Sequence, residues 1–288
     1  MDFWLPIVAV ELDQVVEVAR CAERCGFAGV TLADHVVVPV RYASRHPSGD
    51  TPFDHRAEFP DPLTTIAAMS AVTTRLRFLT YVYVATMREP FSLAKQAGTV
   101  AQLSGDRLHL GLGAGWLLEE IELLGFDPHT RGQRMDEMLD VMRRFWRDGV
   151  VEFHGTFYDF DPVGMFPQPR NPVPIWIGGK SAAALRRAAR NDGWVGMNYD
   201  LEEIPGLLAR LEQERAAADA ERRSRTPFET LVTANAAPSA ELYSQLESLG
   251  VTSTVALAWP FGDPAFAPLE RKLTAIEHFA DRYLSVMS

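Results

Sequence analysis

The sequence predicts an α/β chain folded as one (β/α)8 barrel, and three observations carry that expectation. Eight strand-like apolar runs recur along its 288 residues, nearly all followed by a segment with helical spacing. No linker-like stretch divides them, so residues 1–288 read as a single domain. The residue groups with chemical potential, Asp34-His35, Gly113 to Trp116 and Gly178 to Ser181, each follow a strand. In such a barrel the loops after the strands share one face, where active sites are built.

The elements follow in order. Residues 3–10, FWLPIVAV, form the first run, and Leu12, Val15, Val16, Ala19 and Ala22 then recur at helical spacing until Gly26 closes the helix. FAGVTLA, 27–33, is the second strand. Between Val38 and Pro60 periodicity is lost and Pro39, Pro47, Gly49 and Pro52 collect beside His46 and His55. A loop of this length, about 36–60, is expected to act as a lid over the active face. Asp61-Pro62 opens the next helix, with proline at its first position. LRFLTYVYVA, 76–85, is a strand, 92–103 a helix, and RLHLGL, 107–112, a strand that runs into Gly113-Ala114-Gly115-Trp116.

Residues 130–147 give an amphipathic helix whose Met135, Met138, Leu139, Met142, Phe145 and Trp146 are expected in the core. An insertion of about 150–174 begins with a hairpin turning at His154-Gly155. Ile175-Trp176-Ile177 is the fifth barrel strand, stopped by Gly178-Gly179, and Ser181 is placed to cap the helix that ends at Asp192-Gly193. Strands at 194–197, 228–233 and 251–257 alternate with helices at 201 to about 223, 239–249 and 268–284.

A formal net charge of -10 argues against nucleic acid and anionic membrane as partners. No apolar run approaches the roughly 20 residues of a membrane-spanning helix, and the N-terminus lacks the basic start of a signal peptide. Cys21 and Cys25 stand at helical spacing and read as reduced core thiols, which agrees with a cytoplasmic chain. No H-E-x-x-H or cysteine cluster suggests a metal, and no G-x-S-x-G elbow suggests a serine hydrolase. Gly111, Gly113 and Gly115 give G-x-G-x-G, which is not the dinucleotide fingerprint. Gly178-Gly179 leaves two readings open. It is either a tight strand-to-helix turn or a cradle whose backbone N–H groups, with Lys180 nearby, receive an anion such as a phosphate.

GVTLADHVVVP (29–39), LRFLTYVYVATMREP (76–90), GDRLHLGLGAGW (105–116) and PIWIGGKS followed by DGW (174–194) together resemble the luciferase-like monooxygenases, a superfamily of flavin- and coenzyme F420-dependent enzymes, and most closely their F420-dependent branch. The resemblance implies an oxidoreductase that passes a hydride to or from a small organic substrate. FMN is the alternative cofactor, in a two-component monooxygenase with a separate reductase for flavin or F420. The resemblance also implies a homodimer, and a non-catalytic relative, motivated by Trp116, is the reading from a different class. It places His35 at the deazaflavin ring as the catalytic residue, beside Asp34. A non-prolyl cis peptide is expected at Tyr81-Val82 behind the ring. Gly113, Ala114, Gly115, Gly178, Gly179, Lys180 and Ser181 are expected to hold the cofactor tail and phosphate, and Trp4, His55 and Trp116 to touch substrate. One departure stands out: sugar-phosphate dehydrogenases of this family carry a glutamate as proposed acid where this chain has Trp116. Glu119 and Glu120 follow a turn later and are expected to fall short.

Overall fold

Each apolar run alternates its side chains between the barrel interior and the surrounding helices, and eight such strands close on themselves. The computed structural model describes residues 1–47, 49, 53–218 and 227–285. Along the chain lie β1 (Asp2–Pro6), α1 (Val15–Arg24), β2 (Gly29–Leu32), α2 (Pro62–Ser70), β3 (Arg77–Thr80), β4 (Tyr83–Val84), α3 (Pro90–Ser104), β5 (Leu108–Gly113), α4 (Leu118–Leu123) and α5 (Arg131–Asp148). The hairpin β6 (Val150–His154) and β7 (Asp159–Gly164) follows. Then come β8 (Ile175–Gly178), α6 (Ala182–Ala188), β9 (Gly193–Tyr199), α7 (Ile204–Ala217), β10 (Glu229–Ala234), α8 (Ala240–Ser248), β11 (Ser253–Val255) and α9 (Leu269–Phe279).

The parallel barrel runs β1-β2-β3-β5-β8-β9-β10-β11, and β11 returns to β1 in the register Asp2↔Ser253. β4 continues the third barrel strand beyond the Tyr81-Val82 peptide, which is cis as expected, and pairs with β5.

Trp4, Leu79, Trp176, Val195 and Leu231 fill the barrel interior. Register explains how two indoles fit. Trp4 lies across from Gly29 and Trp176 across from Gly193. A Cβ at Gly29 would lie 2.3 Å from the Trp4 ring, and one at Gly193 would lie 2.8 Å from that of Trp176. Below them Arg77 bonds both Asp2 and Glu229 and lies 4.8 Å from the Trp4 ring centroid, closing the end away from the lid.

The larger core lies between strands and helices, and the predicted face of α5, Met135 to Trp146, is buried there. Fully burying one such aliphatic side chain contributes about 1.5–3 kcal/mol. Some boundaries shift. α1 begins at Val15, which leaves Leu12 exposed. α7 ends at Ala217, and the end expected for it near 223 lies outside the described residues. Of the lid, Ser48 and 50–52 also lie outside them; its described part carries one bridge, His46↔Gly49. Among the described residues no helix is long and apolar enough to cross a membrane.

Candidate active site

Beyond Leu32 the chain leaves the barrel through Ala33-Asp34-His35. Asp34 is only 3% exposed. Its carboxylate accepts two bonds from the Arg88 guanidinium, at 2.8 and 2.9 Å, and a third from the Val84 N–H at 2.8 Å. Burial raises the carboxyl pKa, against the opposing pull of Arg88 and Val84. Arg88 in turn lies 3.9 Å from the Tyr83 ring centroid. Asp34, expected at the cofactor, is thereby engaged in tying the end of β2 to β4, because a bidentate arginine fixes both oxygens.

His35 comes next, its side chain 7% exposed. Its Nδ1 lies 2.6 Å from Oε2 of Glu120, whose side chain is 1% exposed, while Oε1 of Glu120 accepts the N–H groups of Val36 at 2.7 Å and Val37 at 3.1 Å. Opposite an ionised carboxylate, which only accepts, Nδ1 is the ring nitrogen that carries the proton. Nε2, which has no partner among the described residues, is left to accept or release another. Aromatic rings enclose the imidazole: Phe59 at 4.8 Å, Phe53 at 5.3 Å and Trp116 at 5.8 Å between centroids. Trp116 also meets His46 and Tyr42 of the lid.

The two glutamates, expected to fall short of the acid's place, reach instead the segment after β2. α4 starts at Leu118, directly after the glycine turn, so Glu119 and Glu120 occupy its first turn, where acids are favoured, and both turn to the lid. Glu119 accepts the N–H groups of Ala43 and Ser44 at 2.6 and 3.1 Å, and Ser44 Oγ accepts the Leu118 N–H at 3.1 Å. Acids at the start of a short helix after a glycine turn were the available signal; their reach across 85 positions was not.

Around the mouth, Val82 stands between glycines. A Cβ at Gly113 or at Gly178 would lie 2.8 Å from a Val82 methyl, and one at Gly115, whose φ is +83°, would lie 2.7 Å from Val84. The Ala114 carbonyl accepts the Thr86 hydroxyl at 2.8 Å. Tyr81 lies 2.8 Å, hydroxyl to hydroxyl, from Thr233, and burial raises its pKa.

The second glycine turn answers only part of its expectation. Ser181 does cap α6, accepting the Ala184 N–H at 3.2 Å. Gly179 has φ +111°, but its N–H already donates to the Val195 carbonyl at 3.3 Å and its carbonyl accepts Trp194 Nε1 at 2.8 Å. Its N–H is thus not open to an anion. Lys180 pairs with Glu203 at 3.1 Å on the surface.

Of the residues expected at substrate, Trp4 is drawn away. It is 0% exposed in the barrel interior, its ring 5.8 Å from Trp176, because alternation points it inward from the middle of β1. His109 beside it is buried with Nδ1 unpartnered, and burial pushes its pKa down to about 3, so it stays neutral. His55 instead lines a groove of about 400 Å³ with the His35 to Val38 segment, Ala57 and Phe59.

The fold and this geometry can be set beside known proteins. Residues 5–283 match the family model described as luciferase-like monooxygenase. The chain belongs to that family. An uncharacterized protein from Mycobacterium tuberculosis (strain ATCC 25618 / H37Rv) is 35% identical over 276 residues, 94% of each chain. An F420-dependent glucose-6-phosphate dehydrogenase from Nakamurella multipartita is 30% identical over 187 residues, 64% of this chain and 51% of that protein. An FMNH(2)-dependent dimethylsulfone monooxygenase from Pseudomonas fluorescens is 26% identical over 217 residues, 74% and 55%. Among solved structures, the monooxygenase RslO1 from Streptomyces bottropensis superposes with a TM-score of 0.77 at 19% identity, covering all of both chains. The coenzyme F420-dependent tetrahydromethanopterin reductase of Methanopyrus kandleri does so at 0.75 and 12%, covering 100% of this chain and 99% of that one. These confirm the barrel. The luciferase-like family thus joins flavin- and F420-dependent oxidoreductases on one architecture.

The mouth suits a flat ring system. Such a ring needs a floor without tall side chains, which Val82 between Gly113 and Gly178 offers, and a polar group at hand, which His35 Nε2 offers.

Proposed function

We propose that this chain is an F420-dependent oxidoreductase that passes a hydride to or from a small organic substrate, with His35 handling the accompanying proton. The observation that carries the reading is the buried His35–Glu120 pair after β2. When bound, the deazaflavin supplies the hydride donor or acceptor. Glu120 holds the imidazole with its proton on Nδ1 and stabilises the imidazolium that forms when Nε2 takes up a substrate proton. The enclosing rings of Phe53, Phe59 and Trp116 keep water from competing for that proton. Val82, Gly113 and Gly178 would seat the ring. The Lys180 to Ser181 turn would face the phosphate through backbone N–H groups beyond Gly179.

The second reading, an FMN-dependent two-component monooxygenase with a separate reductase, draws support from the Pseudomonas fluorescens relative. The third reading, a non-catalytic barrel, was motivated by Trp116 standing where an acid was expected, and the bond of Glu120 to His35 favours the catalytic reading over it. A homodimer belongs to the same proposal and rests on family likeness, while a cytoplasmic location rests on the free Cys21 and Cys25. Equilibrium titration tests the cofactor: a saturable fluorescence change with F420 and none with FMN supports the proposal, and the reverse transfers the chain to the monooxygenase reading.

A further inference from the structure

We infer that the groove between the His35 to Val38 segment and the returning lid binds an uncharged, largely apolar substrate that presents a hydroxyl or carbonyl oxygen to His35, and that it rejects carboxylates and phosphates. The inference deepens the proposed function, taking from it only that His35 is the reacting end. Three observations carry it. The groove, about 400 Å³, falls within the range of small-molecule sites, and none of the described side chains that line it carries a fixed charge. Two valines of its wall, Val36 and Val37, stay 47% and 45% exposed, an uncommon use of aliphatic side chains unless something apolar covers them. Of the lid arginines, Arg56 pairs with Asp54 at 2.9 Å, and neither it, Arg41 nor Arg45 is among the described residues that line the groove.

Energetics set the direction of selectivity. An apolar body on Val36, Val37, Ala57 and Phe59 gains from leaving water, at about 25 cal/mol per Å² of buried apolar area. A carboxylate in the same place loses hydration and meets Glu120 behind His35, with no lysine or arginine among the described lining residues to repay it. The ring nitrogen Nε2, without a partner among the described residues, gives a single oxygen something to bond.

Isothermal titration calorimetry with 2-naphthalenemethanol and 2-naphthoate tests this, since the two share one ring system and differ in charge. The alcohol is expected to bind at least about tenfold tighter, which is 1.4 kcal/mol. Val37→Lys adds a cation at the rim while its backbone N–H stays on Glu120, and should bring the naphthoate affinity up by about tenfold or more. Val36→Lys supplies the same change at the adjoining wall position if the first variant melts early. Equal wild-type affinities for alcohol and carboxylate, or displacement of the alcohol by saturating F420, would overturn the inference. Alcohol preference retained in a protein that binds no F420 would leave the groove standing and remove the proposed cofactor instead.

Discussion

Replacing Glu120 with glutamine separates the chemical part of this carboxylate from its structural part. Glu120 accepts three bonds, from His35 Nδ1 at 2.6 Å and from the Val36 and Val37 N–H groups at 2.7 and 3.1 Å. The glutamine carbonyl can keep the two backbone donors, which leaves its NH2 facing His35. An NH2 cannot accept the Nδ1 proton, so the imidazole must change tautomer and carry its proton on Nε2, where the proposed chemistry needs an acceptor. Bonds to a charged group are worth about 1.5–3 kcal/mol and neutral ones about 0.5–1.5, so the stability loss should come to about 1–3 kcal/mol, a few degrees in Tm. Loss of positioned proton transfer should lower kcat about a hundredfold or more. Steady-state turnover with F420, cofactor titration and thermal unfolding on one preparation measure all three quantities. The expected pattern is a collapsed kcat with cofactor affinity nearly unchanged. Wild-type kcat in Glu120→Gln, or a fall no larger than the fall in folded protein, would refute the reasoning.

Other expectations follow from the same contacts. His35→Asn keeps a donor toward Glu120 but has no Nε2, so kcat should fall about a hundredfold while the melting point stays within a few degrees; turnover close to wild type would take His35 out of the chemistry. Gly113→Ala places a methyl 2.8 Å from Val82 and should cost about 1–3 kcal/mol, most of it recovered by adding Val82→Ala. Additive losses in a urea-denaturation cycle would show that the two sites do not meet. His109, held neutral by burial with its pKa lowered from 6.5 to about 3, must be bare in the folded chain while the unfolded chain takes up a proton. Stability should therefore drop as pH falls from about 6.5 towards 3, by up to about 1.4 kcal/mol per pH unit. His109→Phe should flatten that slope, and parallel urea titrations of the two proteins between pH 7 and 5 would contradict it.

Much of the architecture was legible because it rests on local patterns. Strand alternation, Pro62 at a helix start, Ser181 as a cap and the methionine face of α5 each have a cause within a few residues, and each is found where the spacing put it. The candidate site was legible only in its loops. Trp4 was placed at the mouth, yet which face an inward strand residue meets depends on its height along the barrel, set here by a register that lays it against Gly29. Gly179 looked free to bind an anion because the sequence gives no sign that its N–H is used by Val195 across the sheet. The Asp34–Arg88 and His35–Glu120 pairs join residues 54 and 85 positions apart, and one sequence holds no trace of such pairings.

The largest change lies in where the acid stands. With Trp116 after the glycine turn, the position from which a glutamate would face substrate is a wall of the ring cage around His35 instead. The carboxylate that does reach the site, Glu120, is spent on Nδ1 and two backbone donors and is 1% exposed, so it meets no substrate atom directly. One histidine must then serve as base in one direction and acid in the other, through the same nitrogen. That arrangement suffices for a reaction moving one hydride and one proton, such as alcohol to carbonyl. It does not suffice for a reaction that needs a second positioned acid. On this argument, restoring a glutamate by Trp116→Glu should not raise turnover: it would bring a second carboxylate near Glu120, remove an aromatic wall from His35 and set an unpaired charge beside the groove. A Trp116→Glu protein that turns over faster than wild type would show that the missing acid, and not the enclosed histidine, limits the chemistry.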